Sequence, residues 1–263
     1  MEVDVRTPHA ARVYDYALGG KDNYAADREL IDRVRVFVPE IPYIAQENRA
    51  FLGRAVHFLA AQAGIRQFLD IGSGLPTQSN VHEVAHSVAS DARVVYVDYD
   101  LTVLAHGRAL LSGTDNAIII QADVRQPDEV LDHPKLRRLL DFEQPIALLL
   151  VGLLHLVTDD DDPAGIVARL WRSLPSGSYL AFCHLTGEYQ PPETVARWME
   201  VFTKMAEPMV LRSREQIRGF LDLDGCELID PGLVQASQWR PDVPCTIPNP
   251  ATGWLLAAVG RKT

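Results

Sequence analysis

Apolar residues along the chain follow two rhythms, one of helical spacing and one of short unbroken runs, and from residue 44 onward the two alternate. Between Ile44 and Ala63, IAQENRAFLGRAVHFLAAQA sets Phe51, Ala55, Val56, Leu59 and Ala63 at helical spacing, which predicts a helix with Gly64 as its left-handed cap. The next segment, RQFLDIG, is short, apolar and closed by glycine, the pattern of a buried strand leading into a ligand loop. Pro76 suits the first turn of a following helix, because its missing N–H would have no partner there anyway. The alternation repeats through a strand at 92–98 (ARVVYVD), a helix after Asp100, a strand at 117–123 (AIIIQAD) and a helix around Val130 to Leu140. A strand at 145–152 (PIALLLVG), a helix from Ala164 to Leu174 and a strand at 178–185 (SYLAFCHL) complete it.

Strands separated by helices predict an α/β fold, a doubly wound, mostly parallel, Rossmann-like sheet with helices on both faces. The C-terminal part reads differently: a helix near Ser213 to Leu221, a strand in CELIDPG and another in TGWLLAAVGRK. No helix fits between Gly232 and Thr252, a loop with four prolines, so these strands are expected as an antiparallel pair with an antiparallel last strand. Residues 1–43 precede the core helix and carry a turn-rich ALGGKDNY, so they predict an N-terminal helical cap on a single unit spanning 44–263.

Composition narrows the partners. The 263 residues, 47% hydrophobic and 23% charged, suffice for one substantial core. A net charge of −10 with no basic stripe repels polyanions, so no nucleic-acid partner is expected. Cys183, Cys226 and Cys245 lie far apart with no CxxC spacing, which fits a reducing cytoplasm better than a disulfide framework or a zinc knuckle. The N-terminal stretch lacks the apolar core and cleavage site of a signal peptide. The longest apolar run, Ile146 to Val157, is too short to cross a bilayer, so no membrane partner is expected either. TDDDDPAG (158–165) precedes a proline and a helix, which reads as a helix cap rather than a metal site. Asn80, His82 and Glu83 read as a solvated helix face, and WRPD (239–242) as either acceptor-pocket lining or core.

The sharpest chemistry lies in FLDIGSGLPTQSN, residues 68–80. In an open parallel sheet the ligand crevice lies beyond the C-terminal strand ends, and the loop after the first strand lines it. Gly72 and Gly74 there let backbone N–H groups approach a ligand closely, although any tight strand-to-helix turn can use the same pair. Asp98 closes the second strand some two dozen residues later, where a carboxylate accepts from both hydroxyls of a ribose or partners a helix N-terminus. Asp123 closes the third strand and can accept from an adenine amino group while the Val124 N–H reaches a ring nitrogen; an ordinary turn aspartate would look the same. Together these strand ends predict an adenosine pocket.

The third glycine of the dinucleotide fingerprint would fall at position 77, which is Thr77 preceded by Pro76. The proline removes an amide that a pyrophosphate needs, and Asp70 just before the loop would repel one. A cofactor carrying an amine suits this loop better. S-adenosylmethionine has a cationic ammonium and sulfonium, and its single carboxylate needs only a small nest such as the loop amides and the Thr77 hydroxyl.

With LDIGSG, VYVDYD, QADV and LLLVGLLHLV as successive motifs, residues 65–185 resemble a class I S-adenosylmethionine-dependent methyltransferase. ARVYDYALGGKDNYAADRE, AQENRAFLGRAV and DIGSGLPTQSNVHEVA further resemble one family of that class, named S-adenosyl methyltransferase, over nearly the whole chain. The resemblance implies Asp70, Gly72 and Gly74 around the methionine part, Asp98 at the ribose and Asp123 with Val124 at the adenine. It also implies a Gly152 carbonyl for the cofactor amine, and a cap folding over the site with Arg12, Tyr14, Gly19, Gly20 and Asn23. In chemical terms Gly19 and Gly20 permit close backbone approach, and Arg12 can meet the cofactor carboxylate. The product would be S-adenosylhomocysteine, and the resemblance leaves the acceptor open.

Methyl transfer is an in-line displacement with a good leaving group, so a dedicated base is optional. His155 and His184 lie at the correct sheet edge for acid-base work and are the candidate catalytic residues, although each also suits a structural role. GLLH stands where many methyltransferases of nucleic-acid or glutamine amino groups carry an Asn/Asp-Pro-Pro-Tyr/Phe motif, which with the acidic charge predicts a small-molecule acceptor. Two readings compete: an NAD-type oxidoreductase, which Asp98 permits and Pro76 and Thr77 oppose, and a non-catalytic S-adenosylmethionine-binding regulator.

Overall fold

The computed structural model describes residues 4–76, 79–241 and 253–263. Three helices come first, α1 (Ala10–Ala17), α2 (Ala25–Arg35) and α3 (Ile41–Ala61). The alternating part follows as β1 (Gln67–Ile71), α4 (Val81–Val88), β2 (Arg93–Asp98), α5 (Leu101–Leu110), β3 (Ala117–Gln121), α6 (Pro127–Leu131), α7 (Pro134–Leu139) and β4 (Ala147–Val151). Then come α8 (Pro163–Arg172), β5 (Tyr179–Leu185), α9 (Pro192–Phe202), α10 (Arg214–Gly219), β6 (Cys226–Leu228), β7 (Val234–Gln235) and β8 (Leu255–Lys262).

The strands form one sheet in the order β3-β2-β1-β4-β5-β8-β6, with β7 also pairing with β8. Strands β1 to β5 run parallel, and β8 pairs antiparallel with both β5 and β6. Neighbouring residues on a strand face opposite ways. Phe68, Val94, Leu149 and Cys183 accordingly join a core with α1 to α5 and α9, while Leu69, Val95, Leu148 and Phe182 join a second core with α6 to α8 and α10. Burial on both faces explains why β1 and β4 read as unbroken apolar runs.

Local chemistry moved several boundaries. Helix α3 starts at Ile41 with Pro42 in its first turn, ahead of the expected Ile44, and Gly64 supplies the left-handed turn after it. Helix α4 starts well after Pro76, because Asn80 and Glu83 form a reciprocal capping box in which the Asn80 N–H donates to Glu83 Oε2 at 2.8 Å. Asn80 and Glu83 therefore cap the helix, with Glu83 exposed as expected and Asn80 buried, and half-buried His82 bonds the Tyr96 hydroxyl through its backbone N–H and Nδ1 at 2.8 and 2.7 Å. The helix expected around Val130 to Leu140 is two short ones, with Pro134 opening the second. Asp162 caps α8, its Oδ1 accepting from the Gly165 N–H at 3.0 Å. Trp239 is core, edge-on to Phe51 and Phe58, and Asp242 and Cys245 lie outside the described residues.

The N-terminal segment packs into the first core through Val13, Ala17, Leu30, Ile31 and Val34. One buried ion pair holds it together. Arg12 Nε donates to Asp27 Oδ2 at 2.9 Å, its Nη2 donates to the Asp4 and Thr7 carbonyls at 3.0 and 2.7 Å, and Asp27 also accepts from the His9 and Tyr24 N–H groups at 3.0 and 2.8 Å. Removing one member strands the other charge out of water. Asp27→Ala is expected to lower unfolding stability by about 3–5 kcal/mol in chemical denaturation, and a loss below about 1 kcal/mol, the scale of an exposed pair, would contradict this role.

Candidate functional site

A cavity of about 420 Å³ opens at the C-terminal ends of β1 to β4, with α1, α3 and α9 on its far side. It forms where β1 and β4 send their connections to opposite faces, the reversal at which open α/β sheets bind ligands. Tyr14, Asp70, Gly72, Gly74, Asp98, Asp123, Val124, Gly152 and His155 all line it, so most of the residues expected from sequence converge on one space.

The glycine loop is pinned to the second strand. The Gly72 N–H donates to the Val97 carbonyl at 2.8 Å, and the Gly74 N–H donates to Asp98 Oδ2 at 3.0 Å. Gly72 has φ +72°, and a Cβ there would lie 2.5 Å from Leu153 Cδ1, so this turn requires glycine. Asp98 Oδ1 accepts from the Asp100 N–H at 3.0 Å, and Asp100 Oδ1 caps α5 through the Thr102 and Val103 N–H groups. Burial raises the Asp98 carboxyl above its ordinary range, against the opposing pull of the Asp100 and Gly74 hydrogen bonds. Asp70 is buried beside this loop. Desolvation pushes its carboxyl up to about 7, with the Asp98 charge adding and Arg49 opposing.

Asp123 accepts two bonds from Arg125 Nε at 3.0 Å each. Burial alone would raise its carboxyl, but the Arg125 hydrogen bonds and charge together hold it below the usual value. His155 is 7% exposed, and burial followed by the charges of His184 and Arg212 keeps it neutral. His184 does not line the cavity. It is fully buried, with Nδ1 2.6 Å from the Leu185 carbonyl and Nε2 3.0 Å from Arg212 Nη1; burial drives its pKa down to about 3. It stands edge-on to His155 with ring centres 5.6 Å apart, so it meets the cavity only through its neighbour.

Four cap residues expected at the cofactor are also placed elsewhere. Arg12 is spent on Asp27 and two carbonyls, while Gly19 and Gly20 form the turn after α1. At Gly20 a Cβ would fall 2.0 Å from Asp15 Oδ1, so the close approach there serves the cap's own fold. Asn23 Nδ2 donates to Asp15 Oδ2 and the Gly20 carbonyl at 2.8 and 3.1 Å. Thr77 lies outside the described residues.

Other lining residues were not expected. On α3, Arg49 sits near Asp70 and donates to the Ser79 carbonyl at 3.1 Å, and Asn48 Nδ2 donates to the Tyr14 hydroxyl at 2.9 Å. At the mouth, His9 Nε2 lies 3.1 Å from both Asp100 Oδ2 and Glu207 Oε1, and the Tyr99 hydroxyl donates to Glu207. Burial pulls His9 down, yet Glu207 and Asp100 outweigh it and raise its pKa. This cluster joins the start of α1 to the ends of β2 and α9. Tyr99 and Asp100 adjoin Asp98 in sequence, a signal that was available; the pairing of His9 with Glu207 across most of the chain was not.

The strand order and the antiparallel β8 are those of a class I methyltransferase. The S-adenosyl methyltransferase family profile matches residues 1–263, and the chain belongs to that family. It is a methyltransferase that uses S-adenosylmethionine. A protein of a domain-of-unknown-function family from Streptomyces avermitilis is similar at 42% identity and a TM-score of 0.94, with 100% of each chain covered. A candidate methyltransferase from Thermobifida fusca is 44% identical with a TM-score of 0.92, covering 99% of this chain and 97% of its own. At 13% identity and a TM-score of 0.51, the N-methyltransferase NodS from Bradyrhizobium japonicum, solved with S-adenosyl-L-homocysteine, shares the fold over 83% of this chain and 87% of its own. No functionally curated protein matches the chain.

The cavity's chemistry fits this cofactor. Asp70 and Asp98 bring two buried carboxyl groups to a molecule with two cationic centres, while Asp123 is already paired with Arg125. Ser73 Oγ, Asn48 Oδ1 and His155 Nδ1, all on lining residues, are buried with no partner among the described residues. Unpaired buried polar atoms of this kind call for a ligand or water.

Asp70 gives a pH test. Its folded pKa of about 7 exceeds the ordinary 3.8, so the folded state holds a proton that the unfolded state releases, and stability falls as pH rises across that window. Asp70→Asn should therefore gain stability relative to the parent protein between pH 5 and pH 8, read by denaturation at each pH. A difference independent of pH would show that the carboxyl is not buried as described.

Proposed function

We propose that this methyltransferase acts on a small-molecule acceptor held between the sheet edge and the cap. In this reading Asp98 receives the ribose hydroxyls, Asp123 and the Val124 N–H receive the adenine, and Asp70 with the Gly152 carbonyl receives the cationic amino acid end. Arg49, near Asp70, takes the carboxylate partner role that Arg12 cannot fill. The bound cofactor supplies an electrophilic methyl on a sulfonium that leaves as a neutral thioether. The chain's task is then to align the acceptor and exclude water. His155, held neutral, accepts a hydrogen bond from the acceptor at Nδ1 and orients it. His184 fixes the His155 ring through its edge-on contact instead of touching substrate.

The observation that carries the reading is the 420 Å³ cavity itself, which is at the small end for a ligand site and is roofed by helices of the same chain. The cofactor occupies part of that same space, and what is left beside it suits a metabolite-sized acceptor and leaves little for a polymer segment. Calorimetry should show binding of S-adenosylmethionine and S-adenosylhomocysteine and none of NAD, and labelled methyl groups from the cofactor should appear in small molecules of a metabolite extract. Label found only in protein or nucleic acid would overturn the acceptor class, and cofactor binding without any transfer would favour a regulator. Asp98→Ala should weaken cofactor binding by about 1.5–3 kcal/mol, the scale of hydrogen bonds to a charged group. Unchanged affinity would displace the ribose from that residue.

A further inference from the structure

The cavity has two chemically different walls. Its charged groups gather at the sheet edge and mouth. Asp123 is tied to Arg125, Asp161 accepts from the Thr158 hydroxyl at 2.8 Å, His9 joins Glu207 and Asp100, and Arg49 faces Asp70 and the loop after β1. The opposite wall comes from the cap helices, α3, α9 and the loop after α9, through Ala17, Ile31, Leu52, Trp198, Phe202 and Met205. All six belong to one contiguous apolar core.

The polar handles of that wall are already used. The Trp198 indole N–H donates to Met209 Sδ at 3.1 Å, and its ring packs against Trp254 and Phe202 with centres 4.5 Å apart in each case. The Tyr14 hydroxyl donates to the Ala45 carbonyl at 3.0 Å and accepts from Asn48 Nδ2 at 2.9 Å. Beside that wall, and among the described residues, Asn48 Oδ1 and His155 Nδ1 are buried without partners, on lining side chains each 7% exposed, while Ser73 Oγ and His9 Nδ1, likewise without partners there, lie in the loop after β1 and at the mouth. Asn48 Oδ1 can only accept, and a neutral imidazole offers one accepting nitrogen.

We infer that this chamber takes an uncharged, largely apolar acceptor carrying one hydroxyl or N–H, which donates to Asn48 Oδ1 or His155 Nδ1 and is itself the methylated atom. The inference rests on the methyl-transfer reading above. In the step, a bond forms between the acceptor O or N and the methyl carbon as the bond to the cofactor sulfur breaks. The acceptor's proton leaves to water as the methyl arrives, while the buried polar atom that held its O–H or N–H only orients it. An ionised acceptor is rejected because the apolar wall offers its charge no partner, and an unpaired buried charge is costly. An acceptor lacking the donor would leave the two polar atoms unsatisfied.

The test uses the full chain saturated with S-adenosylhomocysteine and three probes of similar shape: 2-naphthol, 2-naphthoate and 2-naphthyltrimethylammonium. Fluorescence of the tryptophans or calorimetry should show 2-naphthol bound at least about tenfold more tightly than either ion, the discrimination expected from an uncompensated buried charge. Filling the chamber with Ala17→Phe or Ile31→Phe should weaken 2-naphthol at least about tenfold while S-adenosylhomocysteine still binds, because overpacking acts where the volume is taken. Absent naphthol binding, or equal or tighter binding of either ion to the unaltered protein, overturns the inference whatever the variants do. Naphthol affinity unmoved in a variant that keeps S-adenosylhomocysteine also overturns it. Failure of the unaltered protein to bind S-adenosylhomocysteine would be a different result and would strike the cofactor reading.

Discussion

The bond from the Gly74 N–H to the Asp98 carboxylate organises everything around the cavity. It ties the loop leaving β1 to the end of β2, and through Asp100 it reaches the start of α5. A backbone can be held this close to a carboxylate only if the loop turns sharply, and Gly72 permits that turn where any Cβ would strike Leu153. The same carboxylate is buried near Asp70, so two acidic groups share a poorly solvated space with a raised proton affinity. Such a site has a standing electrostatic demand that a cationic ligand meets and an anionic one aggravates.

The N-terminal helices turn that edge into a chamber. Their apolar residues continue the core on one side of the sheet, and α9 packs against α2, where Arg197 lies over the Phe37 ring. The cap is held by internal bonds among Arg12, Asp27, Asp15 and Asn23, and it meets the sheet edge through His9, Glu207 and Tyr99. Stability of the cap and shape of the cavity are therefore linked, because the helices that form the roof also present its apolar lining.

Much of this was legible in the sequence where one residue type has one physical use. Apolar runs ending in glycine or aspartate located β1 to β4 and the carboxylates at their ends, and the proline-rich break after Gly232 marked the change to antiparallel pairing. Helix α9 carried a readable signal, prolines at its start and Trp198, Val201 and Phe202 at helical spacing, yet it lay between stronger features. The cap misled because Arg12, Gly20 and Asn23 are plausible ligand residues until their partners are known. Those partners, Asp27 and Asp15, are local in sequence but are fixed only by the helix-to-helix packing. His184 was unreadable for the same reason, since Arg212 reaches it from a distant segment. The roles of Asn48 and Arg49 depended on which face of α3 meets the sheet edge.

On the proposed reading, three neighbouring strand ends clasp a nucleoside joined to a positively charged amino acid. A crystal structure of the full chain with S-adenosylhomocysteine tests it most directly. The ribose should lie on Asp98, the adenine beside Asp123 and Val124, and the amino acid end near Asp70 and Gly152, with the sulfur facing the apolar chamber. A ligand bound elsewhere, or lying with its amino acid end at Asp123, would contradict it.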